Sequence, residues 1–142
     1  MQCGAVLRVC SDEDDVDFIT QALGLDPTRS FLKGTPVSWR FPDKLRPVSL
    51  WLFDPALDRS RRLEDHLEKV LEVLEHRTSG VQALIRRGCS LEILCSVSSE
   101  SGQANSDLSA SLLRRLADQP IDVLLSLYPP ETSSDESDPT AR

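Results

Sequence analysis

The chain has 142 residues, 39% of them apolar and 27% charged, with a formal net charge of -7. That length points to one domain, able to bury roughly two thirds of its unfolded surface without disulfides or a structural metal. The composition excludes a collagen-like or membrane-spanning chain and disorder over most of the length, and 22 leucines against seven aromatics make the expected core aliphatic.

Ala5 to Cys10 alternates, with Leu7 and Val9 on one face and Arg8 on the other, which predicts a first strand. The acidic turn Asp12-Glu13-Asp14-Asp15 then leads into a helix whose stripe is Val16, Ile19 and Leu23. Asp14 is the expected N-cap, with Asp17 in the capping-box position. Gly24 suits the left-handed position after the helix, and Pro27 prevents its resumption.

From Ser30 to Phe53 the chain reads as extended, in three pieces separated by Pro36, Pro42 and Pro47. Proline cannot donate to a ladder, so the earlier pieces are expected at a sheet edge or in a long hairpin loop. Val48 to Phe53 is the clearest strand, with Trp51 expected in the core.

Leu63, Leu67, Val70, Leu71 and Leu74 form the best helical stripe in the chain. Thr78-Ser79-Gly80 is read as breaking that helix, and Ser79 with Gln82 as the capping box of a shorter one ended by Gly88. Ser90 to Val97 is a strand with Leu91, Ile93, Cys95 and Val97 inward. Ser109 caps a further helix carrying Leu112, Leu113 and Leu116, and Ile121 to Tyr128 is the last strand. Residues 129–142 are rich in Ser, Thr, Asp, Glu and Pro and are expected to be a disordered acidic tail following a domain over 1–128. The fold expected is α+β: a two-layer sandwich with a mostly antiparallel or mixed sheet and helices packed on one face.

Charge is unevenly spread. Residues 1–26 carry Arg8 against six carboxylates, whereas residues 29–62 carry eight Lys or Arg against three Asp. The acidic total disfavours nucleic acid, and no apolar run approaches membrane-spanning length. The start Met1-Gln2-Cys3-Gly4 carries no signal-peptide pattern, so a cytoplasmic location is expected. Cys3, Cys10, Cys89 and Cys95 lack zinc-knuckle or redox spacing and are expected to be reduced, although the sulfurs of Cys10 and Cys95 could approach each other if their strands are neighbours.

Several strings together resemble a known bacterial family. Leu7-Arg8-Val9 before an acidic turn, Asp17-Phe18-Ile19-Thr20, and Leu23-Gly24-Leu25-Asp26-Pro27-Thr28 open the match. Lys33-Gly34, Trp51, Leu63-Glu64-Asp65-His66-Leu67, Leu108-Ser109, Leu112 to Ala117 and Ile121-Asp122-Val123 continue it in order. They resemble the family catalogued as domain of unknown function 4279, over about residues 5–128. The segment Trp39 to Arg46 departs from it by extra prolines and charges. The resemblance implies a small cytoplasmic bacterial domain and carries no assigned activity, cofactor or catalytic residue; by analogy, small acidic stand-alone domains include toxin-neutralising proteins.

Asp12 and Asp14 alternate like the start of a calcium loop, but its glycine and closing glutamate are missing, so no metal is expected there. His66 and His76 are about 280° apart around a helix and cannot share a metal. His66 is expected to be packed, its ring bonded to a nearby backbone or carboxylate group. Neither G-x-S-x-G nor a phosphate-binding glycine pattern occurs, so no cofactor is expected.

Arg29, Lys33, Arg40, Lys44 and Arg46 surround Trp39 and Phe41. Either the aromatics fold onto the sheet, or they form a contact surface, since aromatics flanked by Arg are enriched at interfaces. The function expected is a non-catalytic protein-interaction module, in its most concrete version an immunity-type protein that neutralises a toxin by covering a basic surface with its carboxylates. Its contact set would be Asp12, Asp14, Asp15, Arg29, Lys33, Trp39, Arg40 and Phe41. The alternatives are a small hydrolase or transferase using His66 or the Asp12–Asp15 cluster, and a domain that self-associates through an exposed edge strand.

Overall fold

The computed structural model describes residues 1–128; the reading of residues 129–142 as a disordered tail lies outside them. The elements are β1 (Gln2–Ser11), α1 (Val16–Leu23), β2 (Arg29–Phe31), β3 (Pro36–Ser38), β4 (Phe41–Leu45), β5 (Ser49–Phe53), α2 (Leu63–Glu75), α3 (Thr78–Arg86), β6 (Ser90–Ser98), α4 (Ala110–Ala117) and β7 (Asp122–Tyr128). Five strands form one mixed sheet in the order β2-β5-β1-β6-β7, and β3 and β4 form a separate two-stranded sheet. Only the β6–β7 pairing in the large sheet is parallel. This is the α+β arrangement expected.

Period-two patterning makes one sheet face the core. On β1, Cys3, Ala5, Leu7 and Val9 are buried; on β6, Leu91, Ile93, Cys95 and Val97; on β5, Trp51. The stripe of α2, from Leu63 to Leu74, and Val81 and Leu84 of α3 close over them. The opposite face carries Val6, Leu50, Leu52 and Leu94, half-buried, around an Arg8–Glu92 ion pair at 2.8 Å.

Several local expectations are corrected. Asp15, not Asp14, occupies the N-cap of α1, and no side chain caps that end. The Ser79–Gln82 capping box does not form, because α3 already begins at Thr78 after Arg77. The break between α2 and α3 lies at His76–Arg77, where Arg77 leaves helical geometry at φ -130° and sends its Nε to the Leu23 carbonyl at 2.8 Å. That bond satisfies a carbonyl at the end of α1, which the helix itself leaves open. Gly80 therefore lies inside α3, pressed against the backbone of Ala22. Leu113 is exposed on α4, although Leu112 and Leu116 are buried as expected. Ser109 does cap α4, accepting from the Leu112 amide at 3.1 Å.

The four thiols are free. β1 and β6 are neighbours, yet Cys10 pairs with Ser90 and Cys95 with Ala5, five positions away along the ladder. At about 3.4 Å per residue that is roughly 17 Å, on opposite faces of the sheet, so the approach of Cys10 and Cys95 does not occur. Burial pushes the Cys95 thiol up to about 11, which keeps it protonated and unreactive near neutral pH.

Candidate functional site

The segment between β2 and β5 leaves the sheet altogether. Its base is fastened by backbone bonds from Gly34 N to the Arg46 carbonyl at 2.9 Å and from Arg46 N to the Thr35 carbonyl at 2.8 Å. The Lys33 amide adds a bond to the buried Ser49 hydroxyl at 3.0 Å. Gly34 adopts φ 84° there, a conformation that side chains strain to reach. Arg46 lays its guanidinium 3.9 Å from the Phe31 ring centroid and donates to the Val37 carbonyl at 3.3 Å, stiffening the stem.

Beyond the stem, β3 and β4 pair only with each other, Pro36 opposite Leu45 and Ser38 opposite Phe41. Every residue of β4 is exposed. Trp39 and Arg40 form the two-residue tip, with the Arg40 guanidinium 5.4 Å from the Trp39 ring centroid. Trp39 is 85% exposed and Phe41 57%, so these rings do not fold onto the sheet. An isolated two-stranded hairpin gains little stability of its own, and its rings are covered by nothing among the described residues.

The other expected contact residues divide. Arg29 is exposed on β2, at the sheet edge near this arm. Lys33 reaches the acidic turn, its Nζ donating to the Asp12 carbonyl at 2.8 Å, so Asp12 and Asp14, both exposed, lie beside the foot of the arm. Asp15 does not join them. It is 3% exposed and takes two bonds from Arg87, Nη2 to Oδ1 at 2.8 Å and Nε to Oδ2 at 3.3 Å, plus one from the Ser11 hydroxyl at 2.8 Å. Arg87 in turn lies 4.5 Å from the Phe18 ring centroid. Asp15 thus ties the end of β1, the start of α1 and the end of α3 together, and is unavailable to a partner. Exposed Leu32 and Leu45 extend the arm's apolar surface; their mixed neighbourhood of Pro, Lys and Asp gave no periodic signal by which to find them.

Arg87 and Ser11 hold the Asp15 carboxyl below its ordinary range. A group with a depressed folded pKa contributes stability that is complete above the unfolded value, near 4, and is lost as pH falls through the folded value. Asp15→Asn is therefore expected to cost about 2 kcal/mol at pH 7. The gap to the parent, followed by thermal melts from pH 7 to pH 3, should narrow with acid; a gap independent of pH would contradict the charge-based account.

His66 is buried, at 4% exposure, and its Nε2 makes no hydrogen bond among the described residues, contrary to the bonded ring expected. It lies in the first turn of α2, whose approach is fastened to Cys3 at the opening end of β1 by the bond from Cys3 N to the Arg59 carbonyl, whereas the acidic turn follows Ser11 at the strand's other end, so the two do not form one site. A cavity of about 260 Å³ is lined by Val97, Ser99, Gly102, Gln103, Ala104, Leu127 and Tyr128, without a carboxylate, imidazole or thiol. Among the described residues, no three His, Cys, Asp or Glu side chains are grouped to hold a metal ion, and no helix is long and apolar enough to cross a membrane.

The family pattern described as "Domain of unknown function (DUF4279)" matches residues 1–130. The chain belongs to this family. No curated protein and no solved structure matches it. The DUF4279 fold, in this chain, is a helix-covered sheet from which one hairpin projects.

Proposed function

We propose that this DUF4279 domain is a non-catalytic protein-interaction module, acting in the cytoplasm, and that its contact surface is the β3–β4 arm with the acidic turn at its foot. The observation that carries this reading is Trp39 at the arm's tip, exposed and stacked by Arg40. Trp and Arg dominate the residues whose truncation weakens interfaces most. The ring offers a large rigid apolar anchor at small entropic cost, and Arg40 and Lys44 supply charges for an acidic rim on the partner. Asp12, Glu13 and Asp14 offer the opposite sign to a basic neighbour. The most concrete version is an immunity-type protein that occupies a toxin's working surface. The separation of positive arm and negative turn suits a partner with both signs on one face.

Trp39→Ala combined with Phe41→Ala tests the surface. Both rings are exposed, so the melting temperature should stay within about 2 °C of the parent. Capture from the native cytoplasm on immobilised parent and variant should show a species held by the parent and weakened at least ~10-fold on the variant. High salt should reduce its recovery. Equal recovery on both proteins, at both salts, would remove the arm as the contact surface.

A further inference from the structure

Among the described residues, β7 is the outer strand of the sheet on the side away from the arm, and it is exposed on both faces. Val123, Leu124, Leu125 and Leu127 are 48%, 50%, 53% and 70% exposed. Parallel pairing with β6 puts Val123, Leu125 and Leu127 beside Ile93, Cys95 and Val97 on the helix side, and Leu124 beside Leu94 on the other. Free edges are normally protected by lysine, proline, a bulge or a covering loop. The strand Asp122-Val-Leu-Leu-Ser-Leu-Tyr128 has no Lys, Arg or Pro, and its ladder with β6 runs without a register shift.

We propose that β7 pairs antiparallel with β7 of a second copy about a two-fold axis at Leu125, joining two five-stranded sheets into one of ten strands. The sequence is self-complementary in that register. Leu125 meets Leu125, Val123 meets Leu127 on both sides of the axis, and Leu124 meets Ser126. Asp122, the one residue of the strand with a formal charge near neutral pH, falls opposite Tyr128 rather than opposite another carboxylate. A two-fold contact uses one patch twice and closes on itself, so the assembly ends at two chains. The direction is decisive, because a parallel pairing of the same edges has no two-fold axis across the sheet.

The size of the patch sets the strength. Val123, Leu125 and Leu127 expose one apolar stripe on the helix side and Leu124 a single side chain on the other, so neither face carries a large patch. A standard interface takes about 800 Å² from each partner. A single edge strand of seven residues falls short of that, so the dimer it supports is reversible and concentration-dependent. With -7 on each chain, approach is opposed at long range, so added salt tightens this contact. That is the reverse of the salt effect expected at the arm. Antiparallel pairing also places the two arms at opposite corners of the assembly, about 40 Å or more apart across the sheet. Each arm is left free to take its own partner.

Sedimentation equilibrium of the full chain from about 5 to 500 μM, at low and high salt, tests the proposal together with Leu125→Lys and Leu125→Asp. The parent should dimerise, more tightly at high salt. Each variant alone places like charges across the axis and should weaken dimerisation at least tenfold. An equimolar mixture of the two places opposite charges there and should recover a mixed dimer. Leu125 is half exposed, so both variants should keep the parent's circular dichroism and its behaviour in the capture experiment on Trp39. A parent that stays monomeric throughout, or a dimer indifferent to the Leu125 variants, would overturn the proposal. So would variants that dimerise alone as well as mixed. A failed arm would show instead in the capture experiment.

Discussion

Trp51→Ala is expected to cost about 4 kcal/mol, lowering the melting temperature by roughly 12–16 °C. Trp51 is fully buried on β5, where it pairs with Val9 of β1 on one side and Ser30 of β2 on the other. Its indole Nε1 donates to the Thr20 hydroxyl of α1 at 3.1 Å, and its ring stacks at 6.5 Å from that of Phe53. The side chain thus bonds α1 to the sheet and fills the largest single volume in the core. Trp51→Phe separates the two contributions: it keeps most of the ring, loses the donor, and should cost about 1–2 kcal/mol. Urea unfolding of the two variants reads both values. A loss under about 1.5 kcal/mol for Trp51→Ala would mean that neighbours collapse into the space.

Gly80→Ala is expected to destabilise by about 2–3 kcal/mol, although alanine is the better helix former by about 1 kcal/mol. A Cβ at this position would overlap the Ala22 carbonyl oxygen and lie 2.9 Å from the carbonyl carbon. Those are backbone atoms of α1, so no rotamer change relieves the clash; the two helices must move apart. Separation would also stretch the bond from Arg77 to the Leu23 carbonyl. Thermal melts should show the loss without change in fold. A neutral or stabilised variant would show that α1 and α3 have room to slide, and that the close approach is not required.

Gly80 shows where reading the chain reaches its limit. A glycine after a long helical stripe has two meanings in one dimension, a terminator or a point of close approach, and only the position of Ala22 distinguishes them. The acidic turn repeats the lesson. Asp12, Asp14 and Asp15 are equivalent as letters, yet one is buried against Arg87, 72 residues away in sequence. Its role in holding three elements together depends on a long-range pairing that no local pattern encodes. The arm was partly legible: three prolines argued against a regular sheet, and the cations around Trp39 and Phe41 marked a candidate contact. Whether those rings turned inward or outward depended on whether the core had space for them, and Trp51 and the leucines already fill it.

The chain alone determined what periodicity can carry: the inward faces of β1, β6 and α2, the end of α1 at Gly24, the cap at Ser109, and a helix-covered mixed or antiparallel sheet. These follow from interactions within a few residues, where side-chain direction is set by the backbone repeat. The tertiary structure decided which strand lies at the edge, which carboxylate is buried, which rings stay in water, and that Cys10 and Cys95 remain apart. Each of those is fixed by distant segments competing for the same buried volume and the same unpaired backbone groups, and a strand of alternating leucines carries no mark of which neighbour it will find.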